Sequence, residues 1–142
     1  MLKLLIAFLL LSLSTNQVIK GVYQAKGINQ KNSESNLTPY KNRENTHCQR
    51  TSNVVHKAKD LIRNKNTVLE KATALFNFVR DKIKYTYYDN SLRGASRTLS
   101  LSSGNCCDQA NLLVAMCRAV GIPVRYVHGL RCKFSDGYYG HV

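Results

Sequence analysis

The segment from Gly104 to Pro123 is the strongest constraint on how this chain can fold. It opens with Gly104-Asn105-Cys106-Cys107-Asp108-Gln109-Ala110 and closes with Gly121-Ile122-Pro123. A helix is expected to start near Asn105 or Cys106. Ala110, Leu113, Val114, Cys117 and Val120 then fall on one helical face. Gly121 stands where a left-handed C-terminal cap belongs, and Pro123 forbids continuation. The segment therefore reads as one helix of fixed start and stop, with a cysteine pair in its first turn.

Further elements can be placed around it. Val54, Val55, Ala58, Leu61 and Ile62 share a face and predict a helix from Ser52. Thr67-x-x-Glu70 is a capping box, each side chain satisfying a free N–H of the first turn. It starts a helix whose face is Val68, Leu69, Ala72, Leu75, Phe76, Val79 and Ile83. Tyr85 to Tyr88 reads as an extended exit and Asp89 to Ser103 as a connection. Val124 to Leu130 reads as a strand, Ser135-Asp136-Gly137 as a turn, and Tyr138 onward as a second antiparallel strand. Helices first and a hairpin last predict the α+β class.

Before residue 47 the composition changes. Lys3 precedes the ten apolar or small residues Leu4 to Leu13, which is the layout of a secretory signal and too short for a span of about 20 residues. We therefore expect a signal peptide over 1–20, a polar lead-in rich in Asn, Gln, Ser and Lys over 21–46, and one domain over 47–142. The expected location is secreted or at the cell surface, with an uncleaved leader as the membrane alternative. The formal net charge of +13 favours polyanionic partners. For an exported chain nucleic acid is the least available of these, so none is expected.

Five cysteines in an exported chain allow two disulfides with one thiol left over. Cys106 is the one to remain free, and Cys48 with Cys132 is one conceivable bridge. A thiol at a helix N-terminus beside a histidine is expected to have a lowered pKa, and the thiolate is the nucleophile of cysteine acyl transfer. Against this stands the plain alternative that Cys106 and Cys107 are small buried residues. Gly104 would let a substrate approach the backbone. Of the four histidines, His141 follows a turn, begins a presumed core strand and is the candidate base. His128 is the competitor but reads as structural, while His56 reads as solvated or half-buried and His47 as exposed. No C-x-x-C pair and no H-E-x-x-H occur, so no metal site and no cofactor are expected.

The residues also carry a resemblance. Ala74 to Tyr85, then Gly104 to Leu113, then Arg118 to Gly129, then Gly140-His141-Val142 resemble the transglutaminase-like superfamily, within it most closely the archaeal pseudomurein endoisopeptidases. The resemblance implies a papain-like core in which helices pack on an antiparallel sheet, Cys106 as nucleophile and His141 as base. It implies hydrolysis of an amide or isopeptide bond in a peptide or cell-wall peptide cross-link. Transfer of the acyl group to an amine, or a non-catalytic wall-associated module, are the alternatives. In that family an acidic residue follows on the next strand, and loss of such an orienting carboxylate costs about 10⁴ in rate in the serine-triad analogue. Asp108, within a turn of Cys106, cannot take that place. The expectation is therefore of a site with two of three members, in a domain cut short at its C-terminus. Oligomeric state is left open.

Overall fold

The computed structural model describes residues 35–42, 44–89 and 93–142. The leader expected over 1–20 lies outside them. Among the described residues five helices and four short strands follow in chain order: α1 (Thr38–Asn42), α2 (Ser52–Leu61), α3 (Val68–Lys82), β1 (Lys84–Tyr85), α4 (Gly94–Leu101), β2 (Ser103–Gly104), α5 (Cys106–Ala119), β3 (Gly129–Phe134) and β4 (Gly137–His141). The class is α+β, as the element order predicts. Among the described residues the sheet portion is small. β1 and β2 make a two-rung parallel pair, and β3 and β4 form an antiparallel hairpin with an irregularity between Gly129 and Cys132. The papain-like expectation of helices on a sheet is met only in part, since most of the core is helix against helix.

The core is built around α5. Every residue from Asp108 to Arg118 is buried, so the apolar stripe expected on one face understates the packing. A helix enclosed on all sides must satisfy its polar side chains internally, and this one does so except at Gln109 Oε1, which is buried without a partner. Gln109 Nε2 donates to the carbonyls of Ile83 (3.1 Å) and Gly104 (3.3 Å). Arg118 donates from Nε to Tyr40 O (3.2 Å) and from Nη2 to Val124 O (3.1 Å). Cys48 Sγ donates to Asn111 Oδ1 (2.9 Å). α2 adds Val54 and Ala58 to this core, and α3 adds Ala72, Leu75, Phe76 and Val79.

The capping box forms as expected, Glu70 N–H donating to Thr67 Oγ1 (3.2 Å) and Thr67 N–H to Glu70 Oε2 (2.8 Å). Val68 and Leu69 are nevertheless 48% and 50% exposed. The first turn of α3 overhangs the core, and burial starts at Ala72. Gly121 takes φ +77, and Ile122 N–H reaches back to Cys117 O at 2.9 Å, closing α5 where the sequence requires.

Three sequence expectations give way. The connection from Asp89 to Ser103 contains α4, whose start is fixed by tertiary acceptors rather than by periodicity. Gly94 turns at φ +68 and donates its N–H to Asp108 Oδ1 (3.0 Å), while Ala95 N–H donates to His47 O (2.8 Å). A side chain at Gly94 would press on the His47 backbone at 3.3 Å. The strand expected over 124–130 begins only at Gly129, because the preceding residues spend their backbone bonds elsewhere. Val124 N–H donates to Tyr40 O (3.2 Å), and Val124 O is taken by Arg118. Finally, all five cysteines are free. The conceivable Cys48–Cys132 bridge is absent, Cys48 lying against α5 and Cys132 beside Gly129 O in the hairpin.

Among the described residues no helix is long and apolar enough to cross a membrane. Asp108, fully buried, ties α4, α5 and the segment after β1 together through Gly94 and Tyr88. Replacing it by alanine should lower unfolding free energy by about 2–3 kcal/mol, since it removes charge-assisted bonds and strands their donors. Thr67→Ala should cost only about 1 kcal/mol through the lost cap. Urea unfolding of the two variants against the parent checks the order. Equal losses would contradict it.

Candidate active site

Cys106 is the first residue of α5. Asn105 sets that start: its Oδ1 accepts from Asp108 N–H (3.0 Å), its own N–H donates to the Tyr88 hydroxyl (3.1 Å), and Nδ2 donates to Tyr88 O (3.1 Å). The Tyr88 hydroxyl in turn donates to Asp108. The Asp108 carboxylate is thus engaged on the side of α4 and Tyr88. Arg93 lies over the Tyr88 ring at 4.5 Å and donates to Ser103 Oγ (3.0 Å), which backs this turn from outside.

Gly104 plays a different role from the one its sequence suggests. A Cβ there would stand 2.9 Å from the Asp108 Cβ and 3.0 Å from the Thr98 Cγ2. The missing side chain makes room for the interior, not for a substrate. It lets β2 lie flat against the start of α5, so Cys106 leaves the chain at a fixed angle.

His141 ends β4, and the strand arrives at the helix start, where the backbone of Val142, like that of Cys107, is near enough to favour the charged form of the Cys106 sulfur. The candidate base is therefore one residue from main chain that lies beside the candidate nucleophile. The Phe134 ring meets the imidazole edge-on at 5.4 Å, which restricts its rotation. Nε2 of His141 is buried with no hydrogen-bond partner among the described residues, and no hydrogen bond joins the imidazole to Cys106. His128 lies just before β3, exposed, with Nε2 3.4 Å from where a Gly140 side chain would start. His47 and His56 are exposed. His56 stands on α2 and His47 beside α4, away from the thiol.

The electrostatics correct one expectation. Helix N-terminus and histidine were expected to lower the Cys106 pKa. It is instead pushed up to about 11, first by burial and then by the neighbouring Cys107. Desolvation disfavours the charged form, and here it outweighs the backbone donors. Burial, followed by the nearby His128, pushes the His141 pKa down. The resting pair is a neutral thiol with a neutral imidazole, ready for general-base removal of the thiol proton rather than a preformed ion pair.

Residues that sequence reasoning did not single out also surround the thiol. Burial pushes up the pKa of Tyr126 and of Tyr85, on β1, and both lie close enough to Cys106 and Cys107 for a thiolate there to push them further. Tyr126 lies within the Arg118 to Gly129 block, but only the register of an irregular segment brings it to Cys107. A cleft of about 340 Å³ opens elsewhere, lined among others by Gln49, Arg93, Ser96 and Arg97, and it contains none of these groups. Among the described residues no three His, Cys, Asp or Glu side chains are arranged to hold a metal ion.

Residues 55–142 match the family model described as the transglutaminase-like superfamily. No curated protein and no solved structure matches the chain.

The depressed His141 pKa has a sign that can be measured. The unfolded imidazole takes up a proton near pH 6.5, while the folded one stays neutral to lower pH. Its contribution to stability is complete above pH 6.5 and falls as the pH drops through the folded midpoint. Urea unfolding between pH 7.5 and 5 should show this loss, and His141→Gln should reduce the slope. An unchanged slope in the variant would contradict a buried neutral imidazole.

Proposed function

The chain belongs to the transglutaminase-like superfamily, which includes cysteine hydrolases and acyl transferases, and from that premise we propose that it is an exported cysteine-dependent hydrolase of amide or isopeptide bonds. The observation that carries this reading is the placement of Cys106 at the start of a fully enclosed helix with the end of β4, and so His141, docked beside its sulfur. A nucleophile on so rigid an element keeps its position through the reaction.

In the proposed reaction His141 takes the Cys106 thiol proton as the sulfur attacks the substrate carbonyl. The tetrahedral adduct collapses, the C–N bond breaks, and the imidazolium returns the proton to the leaving amine. A thioester to Cys106 remains. Water then attacks it, giving its proton to His141, and the thiol leaves with that proton as the carboxylic acid is released. The unpartnered Nε2 of His141 is where an orienting group would bind, which fits a base held mainly by ring packing.

For the substrate we propose cell-wall peptide cross-links, in particular ε-lysyl isopeptide bonds of pseudomurein, reached after export through the leader in residues 1–20. Charge supports a polyanionic target. The chain has 21 basic and 8 acidic side chains, and several of the acidic ones are spent locally. Glu44 pairs with Arg50, Asp60 with Arg63 and Asp81 with Arg80, while Glu70 caps α3 and Asp108 is buried. The cationic excess is left for the surface, where it would concentrate an acidic peptide.

Incubation with an isopeptide-linked wall peptide should release a free ε-amine, and Cys106→Ala or His141→Ala should reduce the rate by at least about 10³. Adding a primary amine in excess distinguishes the outcomes: hydrolysis gives acid, whereas transamidation gives the new amide. Retained cleavage in Cys106→Ala would overturn the assignment. A parent protein with neither product would leave a non-catalytic wall-associated module.

A further inference from the structure

The β3–β4 hairpin has two unlike faces. Lys133 stands directly opposite Tyr138, and opposed residues of an antiparallel pair share a face. The Arg131 guanidinium lies over the Tyr138 ring at 4.8 Å, which puts it on that face as well. Gly140 comes two residues after Tyr138 on β4 and faces the same way, because side chains alternate along a strand. A side chain there would begin 3.4 Å from His128 Nε2, so the glycine leaves the imidazole room against this face. The other face is aromatic, with Phe134 5.9 Å from Tyr139 and 5.4 Å from His141.

The first face is cationic and open. His128, Arg131, Lys133 and Tyr138 are all exposed, Tyr138 by 54%. Among the described residues the ion pairs lie at Arg50, Arg63 and Arg80, so Arg131 and Lys133 meet solvent with no carboxylate in reach. Between Asp108 and Val142 the one acidic residue is Asp136, in the hairpin turn. Alternate residues of a strand stand about 7 Å apart. That is also the repeat of the side chains that an extended peptide turns to one side.

From this arrangement we propose that the outer face of the hairpin is a docking strip for an extended acidic peptide, with alternate carboxylates on Arg131 and Lys133 and its chain packed on Tyr138 and His128. A guanidinium takes a carboxylate through two parallel hydrogen bonds, and the exposed ring beside it supplies apolar contact. Two permanent cations are too few for a nucleic acid, whose binding proteins neutralise about six or more phosphates. His141 lies on the opposite face with Phe134, so the strip holds a stretch of the polymer away from the bond to be cut. Such a tether raises the local concentration of the remaining chain near Cys106. The inference deepens the reading of an acidic wall peptide as substrate and rests on it for its biological meaning, whereas the binding depends on the hairpin alone.

The probe is a fluorescein-labelled decaglutamate, which contains no isopeptide bond, followed by anisotropy with the full chain at low salt. Binding is expected, and Arg131→Gln with Lys133→Gln should weaken it at least about fivefold. Lys59→Gln with Lys65→Gln, an equal loss of charge on and just after α2, should weaken it by less than about twofold. When the peptide carboxylates are activated with carbodiimide, the parent should be acylated at Lys133 ahead of its other lysines. No binding, equal weakening by the two double variants, or first acylation outside the hairpin would overturn the proposal. Tighter binding of a DNA oligonucleotide of the same charge would overturn it too. If circular dichroism shows that the hairpin variant does not fold, the acylation site in the parent decides. Peptide binding of this pattern without cleavage of a wall peptide would count against the proposed reaction and for the strip.

Discussion

The fold depends on a carboxylate with no access to water. Asp108 sits in the first turn of α5, where the helix terminus favours a negative charge, and it accepts from the Tyr88 hydroxyl and the Gly94 N–H. A buried charge is tolerated only when its lone pairs are used. The demand for donors explains features that look unrelated in sequence: the positive φ of Gly94, the return of Tyr88 over the helix start, and the empty space at Gly104 that leaves room for the Asp108 Cβ. The position of the proposed nucleophile follows, because Cys106 lies two residues before Asp108 on the same turn. A buried aspartate thus sets where the candidate site sits.

Much of this was legible in the residues. The limits of α5, the cap of α3, the left-handed Gly121 and the hairpin turn all have local causes, so a local reading finds them. The α4 helix escaped because its start is set by acceptors far away in sequence, His47 O and Asp108 Oδ1. The misplaced strand has the same origin. Val124 looks β-forming, yet its N–H and C=O are claimed by Tyr40 and Arg118. The polar residues around 40–48 carry no periodicity, and still they supply two carbonyl anchors and a buried thiol to the core.

The candidate pair could be named from the sequence, but its charge state could not. Sequence places a cysteine at a helix start and a histidine on a late strand, and the fold brings the end of that strand to the helix start. A helix N-terminus alone argues for a thiolate. Burial argues against it, and burial depends on how strand, helix and aromatic residues close around the sulfur, which no spacing reveals. Tyr126 was hidden for the same reason, since it comes near the cysteine pair from a stretch with no regular structure.

The enclosure of α5 has a consequence for how the site comes apart. Amide protons from Asp108 to Arg118 are held by helical bonds inside packing on every side, so they exchange only when the whole domain opens. The hairpin bearing His141 has two strands, with Leu130, Tyr138 and Tyr139 exposed, and such units open at far lower cost. The proposed nucleophile and base thus belong to parts of the molecule with very different lifetimes. Binding anything across both would lengthen the shorter one, so occupancy of the site should register as slowed hydrogen exchange in β3 and β4 with α5 unchanged.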